Sequence, residues 1–285
     1  MNKVLIAITS KNRVNILPKA IDSALMQQYA NKEVVVFDDN STDATPGLAK
    51  KYTNVTWHFS KVEIGYLAAR NMLLQTTDAT YFCSLDDDSW FLQNDQLSKA
   101  VEYMDASPKV AVLAFSILSN DLTKEIQRGD VIAETNSFIG CGHMIRVSAA
   151  RDVGFYAVNP GFYGGEEKDL CILLMDKDYS IVRFPDVEVW HDKSNVSRDF
   201  RLQYRSLVCN DLVFMWRRTP FLYLLPSFFI KLYKHLVYSI TFRGKNLVMP
   251  LLKGCADFFA ALLTGKAKRK AISVKTFKKY LSFNQ

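Results

Sequence analysis

The first 200 residues alternate between two kinds of sequence pattern, and this alternation restricts the fold more than any other feature of the chain. Apolar runs of strand length, such as KVLIAIT and EVVVFDD, are separated by stretches with helical spacing, such as NILPKAIDSALMQQ and GYLAARNMLLQTT. Strands that alternate with helices through short connections are typical of a mostly parallel sheet with helices on both faces. We therefore predict an α/β domain over residues 1–200.

The composition favours a folded protein in a reducing compartment. Of 285 residues, 49% are hydrophobic, which is enough to bury a substantial core. The five cysteines are scattered, without the close pairs typical of a zinc site or a disulfide framework. The N-terminal sequence MNKVLIAITSKNR has a short apolar run and no cleavage motif, so we interpret it as a first strand rather than a signal peptide.

The positive charge is concentrated near the C-terminal end. Residues 217–285 contain 14 Lys and Arg against one acid, Asp257, which gives +13; because the whole chain carries +7, residues 1–216 carry −6. No nucleic-acid-binding motif accompanies these basic residues, so we expect no nucleic-acid partner. The sequence thus predicts an acidic α/β domain over residues 1–200 and a basic, aromatic-rich helical region over residues 201–285.

A helix over residues 227–242 would separate apolar from basic side chains. One face would carry Phe228, Phe229, Leu232, Leu236 and Ile240, and another Lys231, Lys234 and His235. This pattern is typical of a helix at a membrane surface with its lysines near anionic lipid, and no apolar run there approaches the ~20 residues that cross a bilayer. We expect a cytoplasmic protein, peripheral on the inner face of the membrane. Packing on the domain itself, or against a second copy in a homo-oligomer, is the alternative.

Polar and acidic side chains follow the predicted strands at the points where they end. Thr9 follows the first strand, the segment DDNSTD the second, and the triplet Asp86, Asp87 and Asp88 follows TYFCSL. Ligands of such sheets bind beyond the carboxyl ends of the strands. The chain has neither the GxGxxG of a dinucleotide site nor the GxxxxGK[ST] of a P-loop. A divalent metal that holds a diphosphate through carboxylates fits the triplet instead.

Seven motifs, taken in order, resemble those of family 2 glycosyltransferases, which have the GT-A fold. They are VLIAITSKNR, VVVFDDNSTDAT, IGYLAARN, CSLDDDS, FIGCGHMIRVSAARDVG, GGEEKDLCILLMDKDYSI and VEVWH. The resemblance covers roughly the first 195 residues. It implies an inverting glycosyltransferase with Mn²⁺ or Mg²⁺, a nucleotide-diphosphate sugar as donor, with UDP or dTDP favoured, and a glycan or lipid-linked acceptor in cell-surface polysaccharide synthesis.

The resemblance implies a donor site at the strand ends. Thr9 would approach the nucleotide base through its backbone, Asp39 would accept a hydrogen bond from the base, and Arg70 would lie near the base and diphosphate. Within LDDD, Asp88 would bind the metal and Asp86 or Asp87 would face the ribose or donor sugar. The alternatives are a solvated helix arginine for Arg70 and a cap or turn acid for Asp88.

The motif GGEEKDL is expected to carry the catalytic base. Glu167 stands where similar sequences often have an Asp that deprotonates the acceptor hydroxyl. Glu166 and Asp169 are further acceptor-side candidates, and the alternative is that these acids only stabilise the start of a helix. We expect the two preceding glycines to form a mobile lead-in.

Two more positions follow from the resemblance. His191, at the end of VEVWH, would complete the metal shell, with a purely structural histidine as the alternative. Gly142 would let the backbone pass close to the acceptor sugar, because glycine has no Cβ. We interpret its neighbour His143 as a hydrogen-bonded packing residue.

One other function stays open. A non-catalytic protein that binds nucleotide sugars or a membrane surface through a vestigial site would share these features. A nucleotidyltransferase is disfavoured, because it is expected to have a glycine-rich basic loop after the first strand, where TSKNRVN has no glycine.

Overall fold

The computed structural model describes residues 1–119, 131–192, 199–242 and 246–283. Its strands follow the apolar runs of the sequence, because β-branched and aromatic side chains pack well on a pleated surface. They are β1 (Val4–Ser10), β2 (Lys32–Asp38), β3 (Thr56–Phe59), β4 (Tyr81–Asp86), β5 (Ser89–Phe91), β6 (Val110–Ser119), β7 (Ala133–Thr135), β8 (Gly142–Arg146) and β9 (Ser180–His191).

These strands form one mixed sheet in the order β3-β2-β1-β4-β8-β6-β9-β5, with β7 paired to β9. Strand β1 lies between β2 and β4 and is parallel to both. Strand β8 is antiparallel to its neighbours β4 and β6, and β6 is parallel to β9. Most strands of the described residues therefore run in one direction, and only β5, β7 and β8 oppose it. The predicted mostly parallel sheet is confirmed.

The helices lie close to their predicted positions in the first part of the chain. Helices α1 (Leu17–Leu25), α2 (Tyr66–Thr76), α3 (Gln96–Ala106) and α4 (Val147–Val153) accompany the sheet, together with a short 3₁₀ helix (Thr45–Lys50). Further helices are α5 (Glu166–Asp176), α6 (Phe200–Arg218), α7 (Phe221–Thr241), α8 (Val248–Leu263) and α9 (Val274–Ser282). Within the described ranges, no helix combines the length and the apolarity that crossing a membrane requires.

The chain divides into two compact units that are discontinuous in sequence. The first comprises Met1–Tyr156 and Lys177–Ser194, and the second Ala157–Asp176 and Asn195–Gln285. Helix α5 therefore groups with the C-terminal helices, although it precedes β9 in the chain. The functional division at residue 200 stays a prediction.

The core of the first unit joins the sheet to helices α1 and α3. Strand β1 contributes Val4, Ile6 and Ile8, all fully buried, and these alternate residues share one side of the sheet. The helices add apolar residues at helical spacing, namely Leu17, Ala20, Ile21, Ala24, Leu97, Ala100, Val101 and Met104. The residues beyond the strand ends are thus positioned by a closely packed scaffold.

The second unit is built around α6, which contacts α5, α7 and α8. Val208, Leu212 and Val213 of α6 are buried in its core, and Phe228 and Leu232 of α7 pack against that core. These two side chains were expected on the lipid-facing side of a helix over residues 227–242. The helix forms, but it is rotated, and the reason is a buried carboxylate on α6 that is described below.

Candidate active site

Parallel pairing brings the ends of three strands together at one edge of the sheet. Ser10 of β1 lies beside Asp38 of β2, and Thr9 lies beside Asp86 of β4. The amide of Asp39 donates a 2.8 Å hydrogen bond to the carbonyl of Ser10. Side chains that the sequence placed at separate strand ends are therefore neighbours in space. Because the nucleotide-binding role of Thr9 concerns a ligand, it stays a prediction.

The carboxylate of Asp39 positions the loop that precedes α2. Its two oxygens accept hydrogen bonds of 2.8 Å each from the backbone amides of Ile64 and Gly65. Gly65 has φ +87°, a left-handed conformation that favours glycine. Asp39 is buried, so these two bonds offset the cost of burying a charge. The structure thus gives Asp39 a loop-holding function, and its predicted contact with a base stays a prediction.

Arg70 connects α2 to the end of β4. Its guanidinium lies 2.7 Å from Oδ1 of Asp86, and its side chain is only 1% exposed while that of Asp86 is 34% exposed. The same guanidinium stacks over the ring of Tyr66 at 5.5 Å. A solvated helix arginine is therefore excluded, because this cation is buried beside the acidic triplet. It is placed where it can stabilise negative charge at the strand ends.

Asp87 lies in the short turn between β4 and β5. One oxygen of its carboxylate accepts a 3.3 Å hydrogen bond from the amide of Lys11, and the other lies 3.5 Å from Nε of Arg13. Burial, followed by repulsion from Asp88, raises the pKa of Asp87 to about 7, and Arg13 opposes this shift. The triplet therefore concentrates more negative charge than its protein neighbours neutralise, which favours a bound cation.

Strand pairing places His191 next to the acidic triplet. Ser89 of β5 lies opposite His191 of β9, and Nε2 of His191 is 3.3 Å from Oδ1 of the buried Asp88. The amide of Asp192 donates a 2.8 Å hydrogen bond to the carbonyl of Asp88, which fixes this corner. The two residues predicted as metal ligands are therefore brought together, from positions about a hundred residues apart in the chain.

The residues present fit a divalent metal. In the described part of the chain, Nδ1 of His191 is buried and has no hydrogen-bond partner. His191, Asp86 and Cys141 each offer a ligand atom, and these atoms lie within 4.8 Å of one another. Asp88, which the sequence analysis favoured, is not in this group and contacts His191 instead. A carboxylate that orients a metal-ligating histidine is a common arrangement at metal sites.

Cys141 was not expected at the site. The segment before β8 brings it there, because β8 pairs with β4 and places Gly142 opposite Leu85, just before Asp86. The hydroxyl of Ser89 donates a 2.8 Å hydrogen bond to the carbonyl of Cys141, which ties the two segments together. Only the order of strands in the sheet reveals this neighbourhood, so the linear spacing carried no signal for it.

Gly142 and His143 are both packing residues of β8. A Cβ on Gly142 would lie 2.6 Å from Cδ1 of Ile117 and 3.3 Å from the side chain of Val189, so a larger residue there would require these side chains to move. His143 is fully buried, lies 2.9 Å from the hydroxyl of Tyr156, and has a pKa well below its usual range because of burial. The interpretation of His143 as a packing residue is confirmed. The acceptor-side role of Gly142 stays a prediction.

In the second unit, the glycine-rich segment before α5 is tied to α6 by Asn210. The side-chain amide of this buried residue lies within 3.0 Å of the carbonyls of Gly161, Tyr163 and Gly164, and its oxygen accepts a 2.8 Å bond from the amide of Gly161. A Cβ on Gly161 would lie 2.7 Å from that oxygen. Glycines are favoured in this segment because they allow the backbone to approach Asn210 closely and to adopt positive φ values. The segment is thus hydrogen-bonded to α6 in this structure, and its expected mobility stays a prediction.

The first turn of α5 holds the acids of GGEEKDL in different environments. Glu166 and Asp169 are buried, whereas Glu167 is half-buried. Both oxygens of Asp169 accept hydrogen bonds of 2.8 Å from Arg218. Glu167 is therefore the most accessible of the three, and Asp169 is occupied by an internal ion pair. The acceptor-side roles of Glu166 and Asp169 stay predictions.

The mixed sheet, its flanking helices and the acids at the strand ends agree with the GT-A fold that the sequence predicts. The chain belongs to glycosyl transferase family 2, whose model matches residues 5–158. This match covers most of the first unit. The predicted family is confirmed.

Several proteins are similar to parts of this chain. Glycosyltransferase GlyA of Streptococcus pneumoniae is 32% identical over 108 residues, which cover 36% of this chain and 16% of GlyA. The putative teichuronic acid biosynthesis glycosyltransferase TuaG of Bacillus subtilis is 28% identical over 151 residues, or 48% of this chain and 59% of TuaG. The matched segments thus span less than two thirds of these relatives.

Solved structures confirm the GT-A fold over a longer stretch. S. aureus TarS 1–349 in complex with UDP-GlcNAc has a TM-score of 0.65 and 17% identity, with coverage of 91% of this chain and 81% of TarS. The mannosyltransferase PcManGT from Pyrobaculum calidifontis, in complex with GDP-Man and Mn²⁺, has a TM-score of 0.59 and 17% identity, with coverage of 99% and 79%. At these identities the likeness concerns the fold.

Proposed function

We propose that this protein is an inverting, metal-dependent glycosyltransferase that moves a sugar from a nucleotide-diphosphate donor to a hydroxyl group of a glycan or lipid-linked acceptor. One observation carries the proposal most directly: His191, Asp86 and Cys141 converge within 4.8 Å at the end of β4, beside the buried cation Arg70. A diphosphate is the ligand that such a combination of acids and a cation suits.

In the proposed reaction, the acceptor oxygen forms a bond to the anomeric carbon while the bond from that carbon to the diphosphate breaks. The carboxylate of Glu167 takes the proton of the acceptor hydroxyl, and the electron pair leaves with the nucleoside diphosphate. Arg70 stabilises the charge that develops on this leaving group. A divalent cation at Asp86 and His191, with Asp88 behind the histidine, would supply further charge stabilisation when bound.

The donor is proposed to be a UDP or dTDP sugar. The likeness to TarS in complex with UDP-GlcNAc supports a UDP sugar as donor. The likeness to PcManGT in complex with GDP-Man supports a GDP sugar as the alternative donor. The likeness to TuaG supports an acceptor in cell-surface polysaccharide synthesis. Mn²⁺ is favoured over Mg²⁺, because the imidazole of His191 suits Mn²⁺ better than Mg²⁺.

Calorimetric titration tests the donor half of this proposal. UDP, dTDP and GDP are titrated into the full chain with Mn²⁺ and with EDTA, and into Asp86→Ala and His191→Ala variants. The matched control is Asp78→Ala, an acid whose side chain is 80% exposed and pairs with Lys3. We expect one nucleotide to bind tightly only with metal, and both site variants to lose that binding. Nucleotide binding that is unchanged by EDTA and by both site substitutions would refute the proposed site.

Slow donor hydrolysis, with water as the acceptor, tests the catalytic half. A Glu167→Gln variant should bind the donor as the wild type does, yet release nucleoside diphosphate about 10²- to 10⁴-fold more slowly, because it lacks the base. Glu167→Asp keeps a carboxylate and should recover part of the rate. Unchanged turnover in Glu167→Gln would remove Glu167 from this role. Donor binding without turnover in the wild type would instead favour a non-catalytic nucleotide-sugar-binding protein.

A further inference from the structure

Helix α7 exposes an apolar face to solvent. Phe221, Leu222, Leu225, Phe229, Ile230, Tyr233 and Ile240 are each between 57% and 86% exposed. At ~100° per residue, all seven fall on one half of the helix surface, and neither lysine of α7 lies in that half. We name these residues the α7 face. Contiguous exposed apolar surface of this kind marks an interaction site in folded proteins.

The opposite side of α7 is fixed by a buried polar network, so the exposure of the α7 face is built into the unit. Nζ of Lys231 lies 3.2 Å from Oδ2 of Asp211 on α6, and Nε2 of His235 lies 3.0 Å from the same oxygen. The hydroxyl of Tyr204 donates a 2.8 Å bond to the carbonyl of His235. Because Asp211 is only 5% exposed, rotating α7 would deprive this buried carboxylate of both partners on Oδ2 and leave only Lys168 of α5, which pairs with Oδ1.

A row of aromatic rings that includes the buried Phe258 connects α7 to α8. Phe228 is 6.4 Å from Phe229 and 5.7 Å from Phe258, and Phe258 is 5.2 Å from Phe259. The outer two rings of this row, Phe229 and Phe259, are more than half exposed. Exposed apolar residues also extend along α8 itself, namely Met249, Leu252 and Leu263. Both α7 and α8 thus expose apolar side chains next to the aromatic core that they share.

Charge decides between the two occupants that such a surface could take. From residue 217 to the C-terminal residue 285 there is one acid, Asp257, and its carboxylate is held by Arg205 at 2.5 and 2.7 Å. Lys234, Lys253, Lys266, Lys268 and Lys270 are exposed, so a symmetric pair of copies would bring two basic surfaces together, which like-charge repulsion disfavours. Anionic lipid headgroups would neutralise the same charge, at about 1 kcal/mol per basic residue near the surface.

We infer that the α7 face and the adjoining surface of α8 dock on an anionic lipid bilayer, with the aromatic side chains in the interfacial layer and the basic residues near the headgroups. The docking does not depend on the proposed reaction. If the proposed function holds, docking would hold the enzyme at the surface where lipid-linked acceptors reside.

Vesicle cosedimentation with the full chain tests the docking. The lipids are phosphatidylcholine alone and phosphatidylcholine mixed with phosphatidylglycerol, each at low and high NaCl. The test variant is Phe229→Ser/Ile230→Ser/Tyr233→Ser. The matched control is Met26→Ser/Phe59→Ser/Val62→Ser, which removes three side chains of similar exposure from the first unit. Circular dichroism melting and donor titration verify that both variants are folded and that the donor site is intact.

We expect the wild type and the control to bind the anionic vesicles, with weaker binding at high salt. The α7 variant should bind at least about tenfold more weakly, because three interfacial side chains are lost. Equal binding by the α7 variant, or no binding by the wild type, would overturn the inference. Sedimentation velocity adds one more outcome: a wild-type dimer that the α7 variant converts to a monomer would assign the surface to a second copy.

Discussion

Arg218 and Asp169 form a buried, two-point ion pair. Nε and Nη2 of the arginine each lie 2.8 Å from one carboxylate oxygen, and both residues are less than a tenth exposed. The pair joins the last turn of α6 to the first turn of α5, the helix that begins with Glu166 and Glu167. The position of the proposed catalytic carboxylate therefore depends on an arginine about fifty residues further along the chain.

We predict that Arg218→Met destabilises the protein by about 3–5 kcal/mol, because it leaves the Asp169 charge buried without its partner. The matched control is Arg205→Met, whose pair with Asp257 is more than a third exposed and should contribute about 0–1 kcal/mol. Urea denaturation of the two variants measures the difference. Equal decreases in the free energy of unfolding would mean that burial does not determine how much each ion pair contributes to stability.

Asn210→Ala should affect turnover more than donor binding. The substitution removes the bonds that hold the glycine-rich segment before α5, and each buried polar group left unpaired costs about 1–3 kcal/mol. We expect slower donor hydrolysis with little change in nucleotide affinity, and faster proteolysis within residues 159–165. Asn31→Ala, which removes an exposed bond to the carbonyl of Met1, is the control. A loss of nucleotide affinity without slower turnover would contradict this assignment.

Cys141 should give the site an affinity for soft metals. A thiolate beside an imidazole and a carboxylate favours Cd²⁺ or Zn²⁺ over Mg²⁺. Titration of the wild type with Cd²⁺ should therefore produce the ultraviolet absorption of a cadmium–thiolate bond. Cys141→Ser should abolish this band while Mn²⁺ binding, followed by electron paramagnetic resonance, persists. Cys83→Ser, which changes another buried thiol, is the control. A band that survives in Cys141→Ser would place the sulfur outside the site.

In EDTA, Asp87 should make a contribution to stability that falls as the pH rises from about 5 to 7, whereas the buried His143 and His235, whose pKa values are lowered by burial, make contributions that rise over part of this range. The pKa of Asp87 is about 7 in the folded protein, above the value of about 3.9 in the unfolded chain, so the folded state binds the extra proton between these values. One such proton gives at most about 1.4 kcal/mol per pH unit. Asp87→Asn should remove this contribution, so that the stability difference between the wild type and the variant changes with pH, and the exposed control Asp78→Asn should show no such change. An unchanged slope in Asp87→Asn would show that this carboxyl does not titrate there.

The sequence was informative wherever a residue's neighbours follow from strand order along the chain. The parallel arrangement of β1, β2 and β4 follows from alternating patterns, and it placed Asp38 and Asp86 at one edge before any coordinates were known. The approach of His191 to Asp88 followed only from resemblance to a family. It depends on the antiparallel pair of β5 and β9, and β5 is too short to have a clear pattern.

Side-chain contacts between elements that are distant in the sequence were not predicted. Cys141 reaches the site only because β8 inserts next to β4, and nothing in its linear spacing indicates this. Asn210 and Asp211 did leave a signal: they interrupt an apolar stretch of α6, where polar residues are unfavourable unless they are bonded. That signal indicates buried partners but does not identify them. The rotation of α7 was mispredicted for this reason, since Lys231 and His235 face Asp211.

The division of the chain into two units determines which parts of the protein can be completed while the chain is still being synthesised. Helix α5 is translated before β9, yet its packing partners α6 and α9 come from the last third of the chain. A ribosome that has reached residue 194 has made the whole sequence of the unit that holds the acidic triplet, while α5 still lacks the helices that position Glu167. If the proposed function holds, a nascent chain at that stage contains the residues of the proposed donor site but not the helices that position Glu167, so we expect transfer to begin only after α6 and α9 have been synthesised.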